Sequence, residues 1–368
     1  MIDIFPFSYD WNCIVRRLML SLAVYKVMGL DYHNTHSIFL WLNGIREGLI
    51  TMTVKKRIVG VIGLGHVGAH VAFCLGMMGV ADEVLLCDKN EQKVVSECND
   101  LMDAAYFMPH RVIYKVVDYA GLKDCDVIVN SVGDIKILIG NGDRDVEMSN
   151  SVKEVMSYAN KVAEAGFNGI FVNITNPCDV ITDLIAKQTG LPRNHVLGTG
   201  TGLDSARLIN AISQQTDLEH HSYTAFMMGE HGNSQMIPWS TISFHGKPLD
   251  QMDGEQFHFD HADMVQRVIK GGWVTFQGKH CTEYGISSTA ATIVRSILHD
   301  EKKIMPVSAY LDGQYGESGI CIGVPAVIGK DGVELVMEYK LPEDEKAEFK
   351  KCCDKVRANI KKAEQFWK

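Results

Sequence analysis

The feature that most constrains this chain lies between residues 58 and 78. Ile58-Val59-Gly60-Val61-Ile62 is a continuous apolar run rich in β-branched residues, and it leads directly into Gly63-Leu64-Gly65-His66-Val67-Gly68. A helical stretch, Ala69 to Met78, follows. An unbroken apolar run reads as a strand buried on both faces. In a G-x-G-x-x-G between strand and helix, the first glycine permits a tight turn and the second lets a pyrophosphate approach the backbone. The third lets the helix pack close to the strand, and the helix N-terminus offers free N–H groups and a positive dipole end to phosphates. Glycine-rich turns are common, so context decides. A second apolar run, Val84-Leu85-Leu86-Cys87, ends in Asp88, twenty residues after Gly68. A carboxylate there accepts hydrogen bonds from ribose hydroxyls and repels a 2′-phosphate. NAD is therefore expected over NADP, with Gly63, Gly65, Gly68 and Asp88 as cofactor-binding residues.

The alternation continues with strands expected at 111–116, 126–130 and 169–174 and a helix over 146–165. Strands alternating with helices imply a parallel, doubly wound sheet of Rossmann type, with chemistry beyond the carboxyl ends of the strands. Further on, helices at 260–300 and short strands at 306–311, 321–327 and 333–338 suggest an α+β substrate-binding domain with an antiparallel part. The charged amphipathic stretch 342–368 reads as a helix with a solvated face. The 368 residues thus divide into an NAD-binding domain over 52–198 and a substrate domain over 199–368. Residues 1–51 read differently, with irregular aromatics and a basic-apolar stretch at 16–30 that resembles a signal peptide without its cleavage site. That stretch is also far short of the ~20 residues needed to span a bilayer. This segment is expected to be dispensable for chemistry, and Met52 could itself be a start.

Composition narrows the partners. Thirty-six basic against forty-five acidic residues leave a net charge of −9, which makes nucleic acid a poor partner. Ten scattered cysteines without C-x-x-C or metal-ligand spacing suit a reducing compartment, so a cytoplasmic protein with no metal, disulfide scaffold or membrane span is expected.

A nicotinamide cofactor leaves proton transfer, carbonyl polarisation and substrate positioning to the protein. Gly229-Glu230-His231-Gly232-Asn233-Ser234, after a strand expected at 223–227, places one of fourteen histidines in a polar loop whose glycines permit substrate approach. With an ordinary pKa of ~6.5, His231 suits a proton donor and acceptor. Asp204 and Arg207, three apart at a helix start, are neighbours on that helix. They read equally as a surface ion pair or as a tautomer-fixing carboxylate beside a carboxylate-binding fork. Asn176-Pro177-Cys178-Asp179 reads as a strand-to-helix turn with Pro177 at the first helical position, and Asn176 as a candidate ligand for a substrate oxygen. Arg144 ends a glycine-containing loop that starts at Gly133 and could close over a site.

Together these motifs resemble the L-lactate/malate dehydrogenase family, from about Lys55 to the C-terminus. The resemblance implies that His231 is the proton donor and acceptor paired with Asp204, and that Arg207 binds the substrate carboxylate. Arg144 would polarise the carbonyl, and Asn176 would orient the substrate next to the cofactor. Thr282 falls where the family lines the side-chain pocket, and a homotetramer or homodimer is implied. The partner is then a small 2-oxo or 2-hydroxy acid.

Departures refine this expectation. The loop 133–144 is long, lacks the Arg-rich form of malate enzymes and carries apolar Ile135, Ile137, Leu138 and Ile139 around a lone Lys136. With Asn233 and Gly278-Lys279, it looks most like the L-2-hydroxyisocaproate dehydrogenase branch, which implies branched or medium 2-oxo acids. Pyruvate is the next expectation, then oxaloacetate, and a non-catalytic NAD-binding sensor is the alternative of another class. Bacterial relatives activated by fructose 1,6-bisphosphate resemble one another in an Arg and a His at positions that here are Ile209 and Thr224, so no such activation is expected.

Overall fold

The computed structural model describes residues 55–134, Ile137 and 144–367, with the backbone alone at Arg144 and Asp145. Residues 1–51, Lys136 and the Arg144 side chain lie outside this description, and with them the expectations placed there.

The first half alternates as expected: β1 (Ile58–Ile62), α1 (His66–Met77), β2 (Glu83–Cys87), α2 (Glu91–Ala105), β3 (Ile113–Val116), β4 (Val127–Asn130), α3 (Arg144–Glu164), β5 (Ile170–Asn173), α4 (Cys178–Thr189), β6 (Val196–Gly198) and α5 (Gly202–Thr216). The six strands run parallel in the order β3-β2-β1-β4-β5-β6. β2, β4 and β5 are buried along their whole length, which accounts for continuous apolar runs rather than alternation. The order reverses between β1 and β4, and a ligand crevice belongs at the carboxyl ends of that pair.

The second half holds β7 (Tyr223–Thr224), β8 (Ser243–Phe244), β9 (Lys247–Pro248), α6 (His261–Lys279), α7 (Tyr284–Leu298), β10 (Lys303–Asp312), β11 (Ser318–Gly329), β12 (Gly332–Val336) and α8 (Glu343–Ala363). β7, β8 and β9 form a small antiparallel sheet over a core that includes Leu208, Ile212, Met227 and Phe244. The antiparallel strands expected in the substrate domain are present as β10, β11 and β12, and they also join the first half. β10 pairs with β6 at Ser308 opposite Gly198, so β10, β11 and β12 extend the parallel sheet to nine strands. The seam is close because Gly198 and Gly200 lack side chains. A Cβ at Gly200 would lie 2.3 Å from the Ser308 backbone nitrogen.

Two local expectations are corrected and a third is made specific. The strand expected at 223–227 stops at Thr224, and the backbone of Met227 is taken by hydroxyls at the start of α5: Thr201, its N-cap residue, donates to the carbonyl at 2.8 Å and Ser205 accepts from the N–H at 2.9 Å. Pro177 is the N-cap residue, with a cis bond to Asn176, and the helix starts at Cys178. The C-terminal helix is solvated on one face only, since Phe349, Cys352, Cys353, Val356 and Ile360 bury its other face in the main core.

Candidate active site

Several segments meet at the carboxyl ends of β1, β4 and β5 around a cleft of about 520 Å³. The glycine turn supplies one wall. Gly63 adopts φ +89°, and a Cβ there would lie 2.8 Å from the backbone of Ser131, so the loops after β1 and β4 touch. A Cβ at Gly68 would lie 1.9 Å from the Gly63 carbonyl oxygen, which leaves α1 no room for a larger residue. Gly65 faces open space and lines the cleft. Asp88 braces the turn: Oδ2 accepts the Leu64 N–H at 2.6 Å and Oδ1 the Asn90 N–H at 2.8 Å.

A buried polar network sets the loops after β4 and β5. Asn130 donates to Asn173 Oδ1 at 2.8 Å and to Thr175 Oγ1 at 3.1 Å, and accepts from the Tyr158 hydroxyl at 2.6 Å. Thr175 donates to the Val132 carbonyl at 2.7 Å. Such fully paired groups rigidify the loops that carry them, and Asn176 follows directly. Its Oδ1 is buried in the cleft wall with no hydrogen-bond partner among the described residues, and so is Gln235 Oε1. An unmet buried acceptor costs about 1–3 kcal/mol unless a ligand or water supplies the donor.

The opposite wall carries the charged groups. His231 Nδ1 lies 2.6 Å from Asp204 Oδ2, and Arg207 Nη1 donates to Asp204 Oδ1 at 2.8 Å. The structure thus brings together Asp204, Arg207 and His231, and lines the same cleft with Asn176 and Thr282. Burial opposes the charged imidazole of His231, but Asp204, and behind it Asp179, outweigh burial and raise its pKa. Burial likewise works against the Asp204 anion, but His231 and Arg207 win and lower its pKa.

Some contributors were not singled out from sequence. Asp179 accepts the His231 backbone N–H on Oδ2 at 3.0 Å and the Ser308 hydroxyl on Oδ1 at 2.5 Å, fixing the loop from behind. Burial pushes its carboxyl up to about 6 despite those bonds. Gly272 in α6 is where the Arg207 guanidinium rests, since a Cβ there would lie 3.1 Å from Nη1. The paired glycines inside a helix were its only sequence signal, because each costs about 1 kcal/mol relative to Ala. Of the glycines flanking His231, Gly232 lines the cleft and Gly229 differs from expectation. Gly229 adopts φ +98° and packs against Cys352 of α8, with its backbone paired to Gly323 of β11, so it serves the fold rather than substrate approach. Glu230 ties the same loop down by accepting from Ser234 at 2.6 Å and from Asn359 of α8 at 2.7 Å.

Comparison with known proteins places this arrangement. Residues 57–198 match the lactate/malate dehydrogenase NAD binding domain, and residues 201–367 match the lactate/malate dehydrogenase alpha/beta C-terminal domain. The chain belongs to the lactate/malate dehydrogenase family. It is 40% identical over 317 residues to an L-lactate dehydrogenase of Fusobacterium nucleatum, covering 85% of this chain and 99% of that one. To L-lactate dehydrogenase 3 of Bacillus anthracis it is 38% identical over 314 residues, covering 84% and 99%. Among solved structures, a lactate dehydrogenase from a Medee basin deep-sea metagenome library superposes with a TM-score of 0.80 at 30% identity, covering 84% of this chain and 100% of that one. A malate dehydrogenase from Salinibacter ruber superposes with a TM-score of 0.75 at 28% identity, covering 84% and 98%.

This member of the lactate/malate dehydrogenase family is therefore an NAD-dependent oxidoreductase of 2-hydroxy acids. The chain fits the cofactor. The open face of Gly65 and the N-terminus of α1 line the cleft, the Asp88 carboxylate holds the same turn through the Leu64 N–H, and the unpartnered Asn176 Oδ1 sits in the cleft wall. Among the described residues, no helix of the enzyme is long and apolar enough to cross a membrane.

Proposed function

We propose that the chain is an L-2-hydroxyacid dehydrogenase that interconverts a 2-oxo monocarboxylate and its L-2-hydroxy acid. The observation that carries this reading is the shared carboxylate: Asp204 holds His231 on one oxygen and Arg207 on the other. When bound, the nicotinamide supplies or takes up the hydride at substrate C2. Arg207 binds the substrate carboxylate through its fork. Asp204 accepts from His231 Nδ1–H and so leaves Nε2 to give a proton to the carbonyl oxygen, or to take one from the hydroxyl. Asn176 orients that oxygen, Thr282 borders the substrate side chain, and Arg144, at the start of α3, polarises the carbonyl. Gly63, Gly65, Gly68, Asp88 and Asn176 form the NAD-binding set. The NAD-binding domain over 52–198, the substrate domain over 199–368, a cytoplasmic location and a homodimer or homotetramer complete the proposal.

Two substrate sizes compete. The relatives' names favour pyruvate. The branched-acid reading is supported by apolar Ile137, Ile269, Trp273 and Phe276 in the cleft lining, since each added methylene bound there is worth about 1–3 kcal/mol. Steady-state NADH oxidation with pyruvate, 2-oxoisocaproate and oxaloacetate separates them: the highest kcat/KM names the side chain, and a preference for oxaloacetate removes the monocarboxylate reading. If none of the three drives turnover while NADH still binds, the chain is a non-catalytic NAD-binding protein and the proposal fails.

A further inference from the structure

Beside the glycine turn, outside the residues given roles above, four side chains converge from two segments distant in sequence. His66 and His70 lie one turn apart on α1, and Cys281 and Glu283 flank Thr282 just before α7. One ligand atom each from His66, Cys281 and Glu283 fall within 4.8 Å of one another. His70 Nε2 lies 3.3 Å from Glu283 Oε2, His66 Nδ1 4.0 Å from Glu283 Oε1, and Cys281 Sγ 2.7 Å from Glu283 Oε1. We propose that His66, His70, Cys281 and Glu283 form a binding site for a zinc-class divalent cation.

Three observations carry the inference. The donor set is two imidazoles, a thiol and a carboxylate, which suits zinc rather than the all-oxygen preference of calcium or magnesium. For His66, Cys281 and Glu283 the spacing is near the need, since tetrahedral ligand atoms at about 2.0–2.3 Å from zinc lie about 3.5 Å from one another, and His70, outside that group but 3.3 Å from Glu283, completes the shell by a further side-chain shift. The third is the tautomer of His70. Its Nδ1 lies 2.7 Å from the His66 carbonyl oxygen, which can only accept, so Nδ1 carries the proton. That leaves Nε2, the atom turned toward Glu283, to be filled by a proton or a metal, and an imidazole held by a backbone carbonyl is the usual support of a metal ligand.

Ligation removes the Cys281 thiol proton to solvent, so thiolate and carboxylate together balance the two charges of the cation. Lys279, now 3.4 Å from Glu283 Oε1, already lies 4.1 Å from the centre of the Tyr284 ring and withdraws to it. The bound cation then cross-links the glycine turn, through His66 next to Gly65, to the pocket wall around Thr282. Sequence spacing concealed this site because its two halves meet only in the fold.

The test is a Co²⁺ titration of the full, reduced chain, read by thiolate-to-Co²⁺ charge-transfer absorption and by thermal unfolding. One Co²⁺ per chain, displaced by one Zn²⁺, and a higher Tm with Zn²⁺ are expected. Cys281→Ser should abolish the charge-transfer band, and His70→Gln should weaken Co²⁺ binding at least ~10-fold. No saturable band in the intact chain, or a band retained in Cys281→Ser, would leave only a histidine–carboxylate ion pair and overturn the site. If Cys281→Ser fails to fold, His70→Gln decides alone: unchanged Co²⁺ affinity there also overturns it.

Discussion

His231 Nδ1 and Asp204 Oδ2 lie 2.6 Å apart, and that bond turns the other imidazole nitrogen away from the carboxylate. The pair stands on a buried anion that also holds Arg207, so the residues proposed for proton transfer and for carboxylate binding share one anchor.

His231→Asn should remove the proton carrier while leaving the glycine turn and Asp88 untouched. We expect kcat to fall about 10²–10⁴-fold with NADH affinity unchanged, as measured by stopped-flow turnover and fluorescence titration. A variant that retained half of its turnover would take His231 out of the reaction.

The raised His231 pKa sets the direction of the pH profiles. Reduction of the oxo acid needs the protonated ring, so its kcat/KM should hold at low pH and fall as pH rises through that pKa. Oxidation of the hydroxy acid needs the neutral ring and should rise through the same value. Asp204→Asn removes the stabilising anion, so both limbs should move to lower pH. Limbs that stay in place would mean that another group titrates.

Gly272→Ala offers a test of Arg207 without touching its charge. Alanine favours the helix, but its Cβ would lie 3.1 Å from the guanidinium. Displacing the fork should raise KM for the oxo acid about tenfold, equivalent to ~1.4 kcal/mol, with Tm held or raised. An unchanged KM would show that Arg207 is not positioned by this contact.

Asp179 titrates at about 6 against an ordinary value of 3.8. The folded state therefore holds this proton more tightly than the unfolded chain. Its stabilising effect is complete below the unfolded value and is lost as pH rises through about 6. At pH 8 the charged group costs on the order of 3 kcal/mol. Asp179→Asn can still accept from His231 N–H and can donate to Ser308, so urea unfolding at pH 8 should show a variant at least as stable as the parent. A clear loss of stability there would sink this account.

Fructose 1,6-bisphosphate should leave KM unchanged. Ile209 is packed against the smaller core and Thr224 is an exposed neutral residue on β7, so neither position offers a charge to a phosphate. A large fall in KM on adding the bisphosphate would reverse this.

The glycine turn, Asp88 and the alternation of elements were legible because each rests on a few consecutive residues whose backbone needs are local. Asp204 and Arg207 were visible as a helical pair, yet their residues alone allowed a surface ion pair, and only burial against His231 separates the two readings. Asp179, Ser308 and Gly272 were not legible, since each acts on a partner from a distant segment and no spacing rule reaches that far. Gly229 was misread for the same reason: its neighbours are Cys352 and Gly323, not the residues beside it in the chain.

The pairing of Gly198 with Ser308 bears on how this protein can be taken apart. The two family domains meet at residues 198 and 201, yet the hydrogen-bonded sheet does not stop there. Cut at that point, the cofactor half would present β6 as a raw edge, a template for aggregation. It would also lose Ser308 from behind Asp179. The halves are therefore modules of ancestry rather than separable folding units, and a truncated cofactor half is a poor stand-in for the whole enzyme.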